Sequence, residues 1–306
     1  MKFGCSVPFT DTDDLLAFVP RAACAIEARG FESMWVGEHT HLPVASTHPD
    51  GSGGPVPERY RRFPDPWAII SASAAVTTRI RLGTLIALVA EHNPLVLAKT
   101  IATIDQLSGG RVEVGVGYGW NPLEMINNGI DPARKRAILR EKVMSMRALW
   151  SGEPAEYDGE FVSFSSSWSL PTPAQRPGPK VHYGCSPTPR NLADVAEVAD
   201  GFAPMRALMS DDPALDIRRL RQLAEQNGRD PSAIEISIAY PGTSWGKVDL
   251  ARFTMRLPTA AELEGYMTEG VTRVICSIPI GSADLFERSL DAWLERTAEV
   301  GLAPTL

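Results

Sequence analysis

The chain has 306 residues, of which 44% are hydrophobic and 22% charged, and its formal net charge is −7. These totals describe a globular protein with a sizeable core, and the negative charge argues against nucleic acid or an anionic membrane as a partner. No apolar run reaches the roughly 18 residues that a transmembrane helix needs. The four cysteines lack metal-type spacing, and the N-terminal MKFGCSVPF lacks the apolar core of a signal peptide. We therefore expect reduced thiols, a cytoplasmic location and a single domain over residues 1–306.

The first part of the chain alternates strand-like and helix-like segments. A Gly/Pro/Ser-rich stretch from about Leu42 to Pro64 interrupts them and is long enough to be a lid or a substrate wall. The predicted elements are a strand at Lys2 to Phe9, a helical stripe from Leu15 to Ile26 ending at Gly30, a strand at Ser33 to Val36, a short helix at Pro66 to Ala75 and a strand at Ile80 to Ala90.

A strand–helix–strand unit follows at the centre of the chain. Asn93 and Pro94 are typical of an N-cap and a first helical residue, and Gly109 is typical of a helix end. The apolar stretch from Val112 to Gly119 predicts the next strand, parallel to the strand before the helix and joined to it by a right-handed crossover.

The second part of the chain continues the alternation after one interruption. Residues from about Ser151 to Pro179 are rich in Ser, Pro and aromatics, which indicates an insertion, with a small hairpin as one possibility. The other predicted elements are a loop at Asn121 to Asp131, strands at Lys180 to Gly184, Gly201 to Pro204, Ile234 to Ala239 and Arg273 to Ile278, and helices at Ile138 to Trp150, Pro187 to Val198, Pro213 to Asn227, Thr259 to Gly270 and Ala283 to Val300.

Eight strands, each followed by a helix, predict a closed (β/α)₈ TIM barrel. The alternative is a doubly wound open sheet, which would carry a glycine-rich fingerprint after its first strand. That fingerprint is missing, so the barrel is favoured.

In a barrel the site lies where the strands end, so the residues just past each strand are the candidates. Glu38 and His39 follow the second strand and fit an acid/base pair, a cofactor contact or a structural hydrogen bond. Gly119 and Trp120 follow the fourth strand, where the backbone can approach a ligand and the indole can wall a flat aromatic molecule or pack against the long loop. Arg206 follows the sixth strand and could hold an anionic substrate or face solvent.

The turn Gly184-Cys185-Ser186 leads from the fifth strand into a helix. Backbone N–H groups at a helix start favour a phosphate, and the hydroxyl groups of Ser186 and Thr188 add donors, although an ordinary helix cap has the same pattern. A metal site of Glu38, His39 and His41 is conceivable, but no further ligand stands at a convincing spacing, and we predict no metal.

Three stretches carry a resemblance to a known family. They are GFESMWVGEH at residues 30–39, LGTLIALVAEHNPLVLAKTIATIDQLSGGRVEVGVGYGW at 82–120 and RALWSGEPAEYDGEFVSF at 147–164. Over roughly residues 1–205 the chain resembles the bacterial luciferase-like superfamily, and within it the oxidoreductases that use the deazaflavin coenzyme F420. The resemblance implies a (β/α)₈ barrel with an insertion, in agreement with the segment at 151–179.

The resemblance also implies where a cofactor lies. Its isoalloxazine-like ring would lie across the barrel mouth, supported by a bulge of the third strand with a non-prolyl cis peptide within Leu85-Ile86-Ala87. His39 would lie beside the reactive ring and Glu38 would contact the cofactor. Gly184-Cys185-Ser186 matches the family's phosphate-binding turn, with Cys185 in the place of a small residue.

One departure from the family pattern narrows the expected function. The sugar-phosphate dehydrogenases of the family carry a glutamate where this chain has Trp120, together with basic residues for the substrate phosphate, and neither is evident here. We therefore predict hydride transfer between coenzyme F420 and a small organic substrate with an activated double bond, imine or carbonyl. His39, Tyr118 or solvent would supply the proton, and Trp120 would shape the substrate pocket.

Three other functions remain open at this point. The first is an FMN-dependent monooxygenase, the second a cofactor-binding protein without turnover and the third a metal-dependent barrel hydrolase. A homodimer is expected from the resemblance alone.

Overall fold

Eight parallel strands close into a barrel in the computed structural model, which describes residues 1–10, 12, 14–48, 53–241 and 255–303. The barrel strands follow one another in chain order, and the last pairs with the first, with Lys2 opposite Arg273. The predicted TIM barrel is therefore confirmed over the doubly wound sheet. The strands are β1 (Lys2–Ser6), β2 (Ser33–Val36), β3 (Arg81–Thr84), β4 (Val112–Val116), β5 (Ala155–Asp158), β6 (Ser163–Ser167), β7 (Val181–Tyr183), β8 (Gly201–Phe202), β9 (Glu235–Tyr240) and β10 (Arg273–Ser277), of which β5 and β6 lie outside the barrel.

Helices separate the barrel strands, and their ends follow the local sequence. In the helix after β3, the side chain of Asn93 accepts hydrogen bonds from the backbone N–H groups of Leu95 and Val96, and Gly109 ends the helix with a φ of 69°. The helices are α1 (Leu15–Ala28), α2 (Pro66–Val76), α3 (Pro94–Ser108), α4 (Pro122–Asn127), α5 (Lys135–Trp150), α6 (Pro189–Val198), α7 (Pro213–Gln226), α8 (Ala260–Thr268) and α9 (Ala283–Ala298). None of the helices in the described ranges is long and apolar enough to cross a membrane.

The insertion between α5 and β7 contains the hairpin that its composition suggested. Strands β5 and β6 pair antiparallel, with Ala155 opposite Ser167. The hairpin turn is tied to α5, because the carboxylate of Glu141 accepts the backbone N–H groups of Glu160 and Phe161.

Strands β1, β3 and β4 end three or more residues earlier than predicted, because apolar sequence continues past the end of each strand. β1 ends at Ser6 instead of Phe9, and β4 ends at Val116 instead of Gly119. β3 ends at Thr84, and a 3₁₀ turn at Val89–Glu91 replaces the end of the predicted strand. Most of the apolar side chains beyond these strands are still buried, since the chain there folds over the end of the barrel.

The prediction of a loop at Asn121 to Asp131 was wrong. Asn121 caps α4 through a hydrogen bond from the N–H of Leu123, and Pro122 is its first residue. This is the same cap-and-proline signal that marks the start of α3.

Trp35 fills the middle of the barrel and separates its two ends. The indole fits there because a Cβ on Gly83 would lie 2.6 Å from its ring atoms. Below it, the guanidinium of Arg273 stacks on the ring at 5.3 Å from the centroid. On its upper side it packs with Ala239 and Ile275, which also line a cavity at the C-terminal end of the strands.

Candidate active site

A cavity of about 530 Å³ opens at the C-terminal end of the barrel, with lining residues from all eight barrel strands or the loops after them. Most residues proposed from the sequence meet there, although their positions in the chain are far apart. The predicted site residues that line the cavity are Glu38, His39, Leu85, Ile86, Gly119, Trp120, Gly184, Cys185 and Ser186.

Two of the predicted residues are placed elsewhere. Ala87 is fully buried behind the cavity wall, where it pairs with Val116 of β4. The guanidinium of Arg206 lies 3.6 Å from the carboxylate of Glu262 and donates to the carbonyl of Ser210. Arg206 does not line the cavity, because its carboxylate partner on α8 holds it at the rim of the barrel.

The chain bulges immediately after β3. The peptide bond between Leu85 and Ile86 is cis, within the tripeptide that the resemblance indicated. The side chain of Ile86 occupies space left by two glycines: a Cβ on Gly117 would lie 2.2 Å from its Cδ1, and one on Gly184 would lie 2.4 Å from its Cγ2. Ile86 and its neighbour Leu85 therefore form a firm apolar part of the cavity wall.

His39 is held between two side chains that come from beyond β4. Its Nδ1 lies 2.8 Å from Oε2 of Glu124, and the indole Nε1–H of Trp120 donates to its Nε2 at 3.2 Å. Because an indole can only donate, Nε2 must carry the lone pair and Nδ1 the proton. Burial would raise the pKa of Glu124, but the hydrogen bond from His39 and those from the amides of Thr40 and His41 lower it overall, so Glu124 is an ionised acceptor.

Glu38 and His39 do not form the acid/base pair that their adjacency suggested. The carboxylate of Glu38 lies 2.8 Å from Nε2 of His92 and accepts the N–H of Leu88 at 2.5 Å. Burial would lower the pKa of His92, but the Glu38 carboxylate outweighs burial and raises it. Glu38 lines the cavity and at the same time braces the bulge after β3, since both of its partners belong to that segment.

Aromatic rings surround His39 on the cavity side. Tyr60, Phe63 and Trp120 have ring centroids 5.5, 5.0 and 5.4 Å from the imidazole centroid. Tyr60 and Phe63 come from the long loop at 42–64, of which the structure describes 42–48 and 53–64. The hypothesis of a substrate wall in this loop therefore agrees with where these rings lie, and Trp120 contacts both His39 and Tyr60.

A polar cradle lies at the other side of the cavity, around Gly184-Cys185-Ser186. In the described part of the chain the backbone N–H groups of Cys185 and Ser186 have no acceptor, although the amide of Gly184 donates to Val116. Asn191 in the first turn of α6 donates to the carbonyl of Ser186 at 2.9 Å. Burial raises the pKa of the Cys185 thiol to about 12, so this side chain is neutral.

Two cations from the start of α5 also line the cavity. The guanidinium of Arg136 is paired with Asp194 at 2.5 Å. The ammonium of Lys135 donates to the carbonyl of Gly119 at 3.0 Å and has no carboxylate partner among the described residues. Burial and the charge of Arg136 lower the pKa of Lys135, which makes a bound anion favourable beside it.

Tyr118, a candidate proton donor, lines the same part of the cavity. Its hydroxyl donates to Asp194 at 2.6 Å. Burial and this hydrogen bond raise its pKa, so the phenol keeps its proton on the side of Asp194.

The conceivable metal site of Glu38, His39 and His41 is not assembled. Glu38 pairs with His92 and His39 with Glu124, while the exposed His41 contacts Asn127. Among the described residues a possible set of three ligands, Glu113, His182 and Glu235, lies instead at the lower end of the barrel. The guanidinium of Arg273 lies 3.9 Å from both of these carboxylates, so a cation already occupies their surroundings.

Sequence reasoning missed three residues of this site: Glu124, His92 and Lys135. The Asn121-Pro122 cap signal could have revealed α4 and with it the carboxylate of Glu124. His92 could have been found from its position, because it lies just after the predicted third strand. Lys135 had no local signal, because it is one of several cations at the start of a surface helix.

The chain is a closed (β/α)₈ barrel whose cavity lies at the C-terminal end of the strands, where such barrels bind their ligands. The family model for luciferase-like monooxygenases matches residues 1–245, and the chain belongs to this family. Its members are oxidoreductases, and F420-dependent enzymes and monooxygenases both occur among the chain's structural relatives.

The chain is similar in sequence to a mycobacterial protein and in fold to two solved structures. An uncharacterized protein of Mycobacterium tuberculosis is 40% identical over 286 residues, which cover 91% of this chain and 92% of the relative. The monooxygenase RslO1 from Streptomyces bottropensis has a similar structure, with a TM-score of 0.74, 21% identity and coverage of 99% and 100% of the two chains. The coenzyme F420-dependent tetrahydromethanopterin reductase from Methanopyrus kandleri has a TM-score of 0.70, 18% identity and coverage of 95% and 96%.

Proposed function

We propose that this protein is an oxidoreductase that transfers a hydride between coenzyme F420 and a small organic substrate. The observation that carries the proposal is the position of His39 at the wall of a cavity large enough for a ring cofactor and a substrate. A carboxylate holds its imidazole so that the lone pair is at Nε2. When bound, the deazaflavin would supply the hydride chemistry.

The chain's own residues would manage the proton. Hydride transfer to or from a carbonyl, imine or activated double bond is accompanied by proton transfer, and a positioned imidazole can carry that proton. His39 would accept it at Nε2 when the substrate is oxidised and return it when the substrate is reduced. Tyr118 is less suited to this task, because burial and the hydrogen bond to Asp194 raise the pKa of its hydroxyl.

The cradle fits the phosphate group of such a cofactor. The amides of Cys185 and Ser186 lack acceptors, and α6 begins three residues further on, at Pro189. At the cradle, Lys135 lacks a carboxylate partner in the described part of the chain and Arg136 is paired with Asp194, so the cradle offers about one uncompensated positive charge. The phosphodiester of the deazaflavin carries one negative charge, whereas the phosphate monoester of FMN carries nearly two. One positive charge in the cradle therefore matches the phosphate of the deazaflavin better than that of FMN.

Around His39 the cavity wall is mostly aromatic, with the guanidinium of Arg59 5.4 Å from the ring centroid of Tyr60. Tyr60, Phe63 and Trp120 enclose the imidazole, and the carboxylate of Glu124 is saturated with hydrogen bonds. The surroundings therefore favour a flat molecule that presents one polar group to His39.

Titration of the purified protein with coenzyme F420 and, separately, with FMN tests the proposal. Trp120 lies in the cavity, so tryptophan fluorescence should report ring binding. We expect saturable binding of F420 that is at least about tenfold tighter than that of FMN, and oxidation of reduced F420 by some enone, imine or ketone in an anaerobic acceptor screen. Tight binding of FMN with weak binding of F420 would overturn the proposal in favour of a monooxygenase, which an oxygen electrode would then test. A bound F420 ring without turnover of any acceptor would indicate a binding protein.

Replacement of Lys135 by methionine is expected to weaken F420 binding about tenfold, because the variant loses the cation proposed to bind the phosphate. The measurement is the same fluorescence titration, repeated at several salt concentrations. Wild-type affinity should fall as salt rises, and the variant's affinity should fall less. Lys99→Met is the control, since that ammonium lies on α3 and contacts the carbonyl of Leu170. Equal affinities of the two variants would contradict the assignment.

A further inference from the structure

The carboxylate of Glu124 is shared between His39 and the backbone that follows it. Oε2 lies 2.8 Å from Nδ1 of His39, while Oε1 accepts the N–H of Thr40 at 2.8 Å and its hydroxyl at 3.2 Å. The side chain is 1% exposed. A buried carboxylate in this position both aims the imidazole ring and decides which of its nitrogens carries the proton.

We propose that Glu124 is the positioning residue for His39: it fixes the Nδ1–H tautomer and leaves the Nε2 lone pair for the substrate. Trp120 supports this tautomer from the opposite side, because its Nε1–H donates to Nε2 at 3.2 Å. A polar atom of the substrate would displace the indole N–H and take its place at that lone pair. The inference rests on the proposed hydride transfer for its catalytic consequence, but the tautomer itself is a property of the protein without cofactor.

The hydrogen bonds of Glu124 predict how the substitution Glu124→Gln changes the tautomer of His39. The Thr40 N–H and hydroxyl both donate to Oε1, so the single oxygen of glutamine must occupy that position. The amide NH₂ then faces Nδ1 of His39, which can only accept it. The proton of the imidazole must therefore move to Nε2, where it opposes the indole N–H of Trp120.

Two-bond ¹H–¹⁵N correlation spectra of the full-length protein, labelled in its five histidines, read the tautomer directly. His39→Gln assigns the signal by its loss. We expect the Nδ1–H pattern for His39 in the wild type and the Nε2–H pattern in Glu124→Gln. Glu91→Gln is the matched control, because Glu91 is a neighbouring carboxyl that binds Asn128 and makes no contact with His39, and its spectrum should keep the wild-type pattern.

The catalytic consequence is measured with F420 and whichever acceptor the screen yields. Glu124→Gln should lose at least about 100-fold in kcat with little change in KM or in F420 affinity, since only the proton-carrying group is misaligned. Glu124→Asp, which keeps the charge, should recover part of the loss.

Several outcomes would overturn the inference. They are an Nε2–H proton on His39 in the wild type, an unchanged tautomer in Glu124→Gln, and an unchanged kcat in that variant. If Glu124→Gln does not fold, the tautomer of His39 in the wild type and the kcat of Glu124→Asp still test the inference. If the wild type shows the Nδ1–H tautomer but never turns over F420, the proposed function fails while the role of Glu124 in positioning stands.

Discussion

Replacement of Arg273 by methionine is expected to lower the free energy of unfolding by about 3–5 kcal/mol, because it removes one side of a buried ion pair. The guanidinium donates to both oxygens of Glu32, at 2.7 and 2.8 Å, and to the hydroxyl of Ser237 at 3.0 Å. Arg273 has no exposed surface, and methionine fills a similar volume without its charge. The variant therefore leaves the Glu32 carboxylate buried with Lys2, 3.3 Å away at the surface, as its remaining cation.

Urea unfolding monitored by circular dichroism measures this loss. Arg288→Met is the matched control, because that arginine pairs with Asp284 one helical turn away and both side chains are largely exposed. An exposed pair of this kind contributes about 0.3–0.5 kcal/mol. Equal losses in the two variants would show that the buried network contributes no more than a surface pair.

The same pair predicts how stability depends on pH. Burial would raise the pKa of Glu32, but the hydrogen bonds and charge of Arg273 lower it, and Glu113 nearby is lowered in the same way by His182, Arg81 and Arg273. A carboxyl whose folded pKa is lowered stabilises the fold above its unfolded pKa and loses that contribution as the pH falls. The deficit of the Arg273→Met variant should therefore shrink from about pH 6 towards pH 3.

The barrel itself could be predicted because its information is local. Each barrel strand is a short apolar run, and the described helices other than α5 begin at a side-chain cap, as at Asn93 before α3. The predicted lengths of several strands were wrong. Residues such as Val89 and Ala90 are as apolar and buried as those of a strand, but they pack over the barrel end in a 3₁₀ turn, so composition could not distinguish the two.

The candidate site could be located from the sequence but its pairings could not. Glu38 and His39 are neighbours in the chain and point to different partners: His92 is 54 residues from Glu38, and Glu124 is 85 residues from His39. Only barrel closure and the bulge after β3 bring these groups together. The charged cluster around Arg273 was missed for a related reason, since its members are single polar residues within or beside apolar strands that meet only inside the closed barrel.

Replacement of Gly184 by alanine is expected to weaken F420 binding by roughly tenfold to 100-fold, about 1.4–2.7 kcal/mol. A Cβ at this position would lie 2.4 Å from Cγ2 of Ile86, and Cγ2 is attached to the branched Cβ of Ile86, so it cannot swing away as a chain end can. Ile86 is already confined by Gly117 on β4's side. Relief must come from moving the cavity wall or the turn at Cys185 and Ser186, and both belong to the proposed cofactor site. The strain should also lower stability by about 1–3 kcal/mol, as overpacking does.

A second glycine at the same end of the barrel provides a control, which distinguishes the contact with Ile86 from a general effect of alanine at this end. A Cβ on Gly281, which follows β10, would meet only Cδ2 of Leu285 at 3.8 Å, an ordinary contact. Gly281→Ala should therefore bind F420 with wild-type affinity in the fluorescence titration, and its unfolding midpoint should stay within experimental error of the wild type. If Gly184→Ala is destabilised and yet binds F420 as tightly as Gly281→Ala, Ile86 supports the fold alone. If it loses affinity while thermal unfolding shows it folded at the assay temperature, the contact between Ile86 and the two glycines shapes the surface on which the cofactor rests.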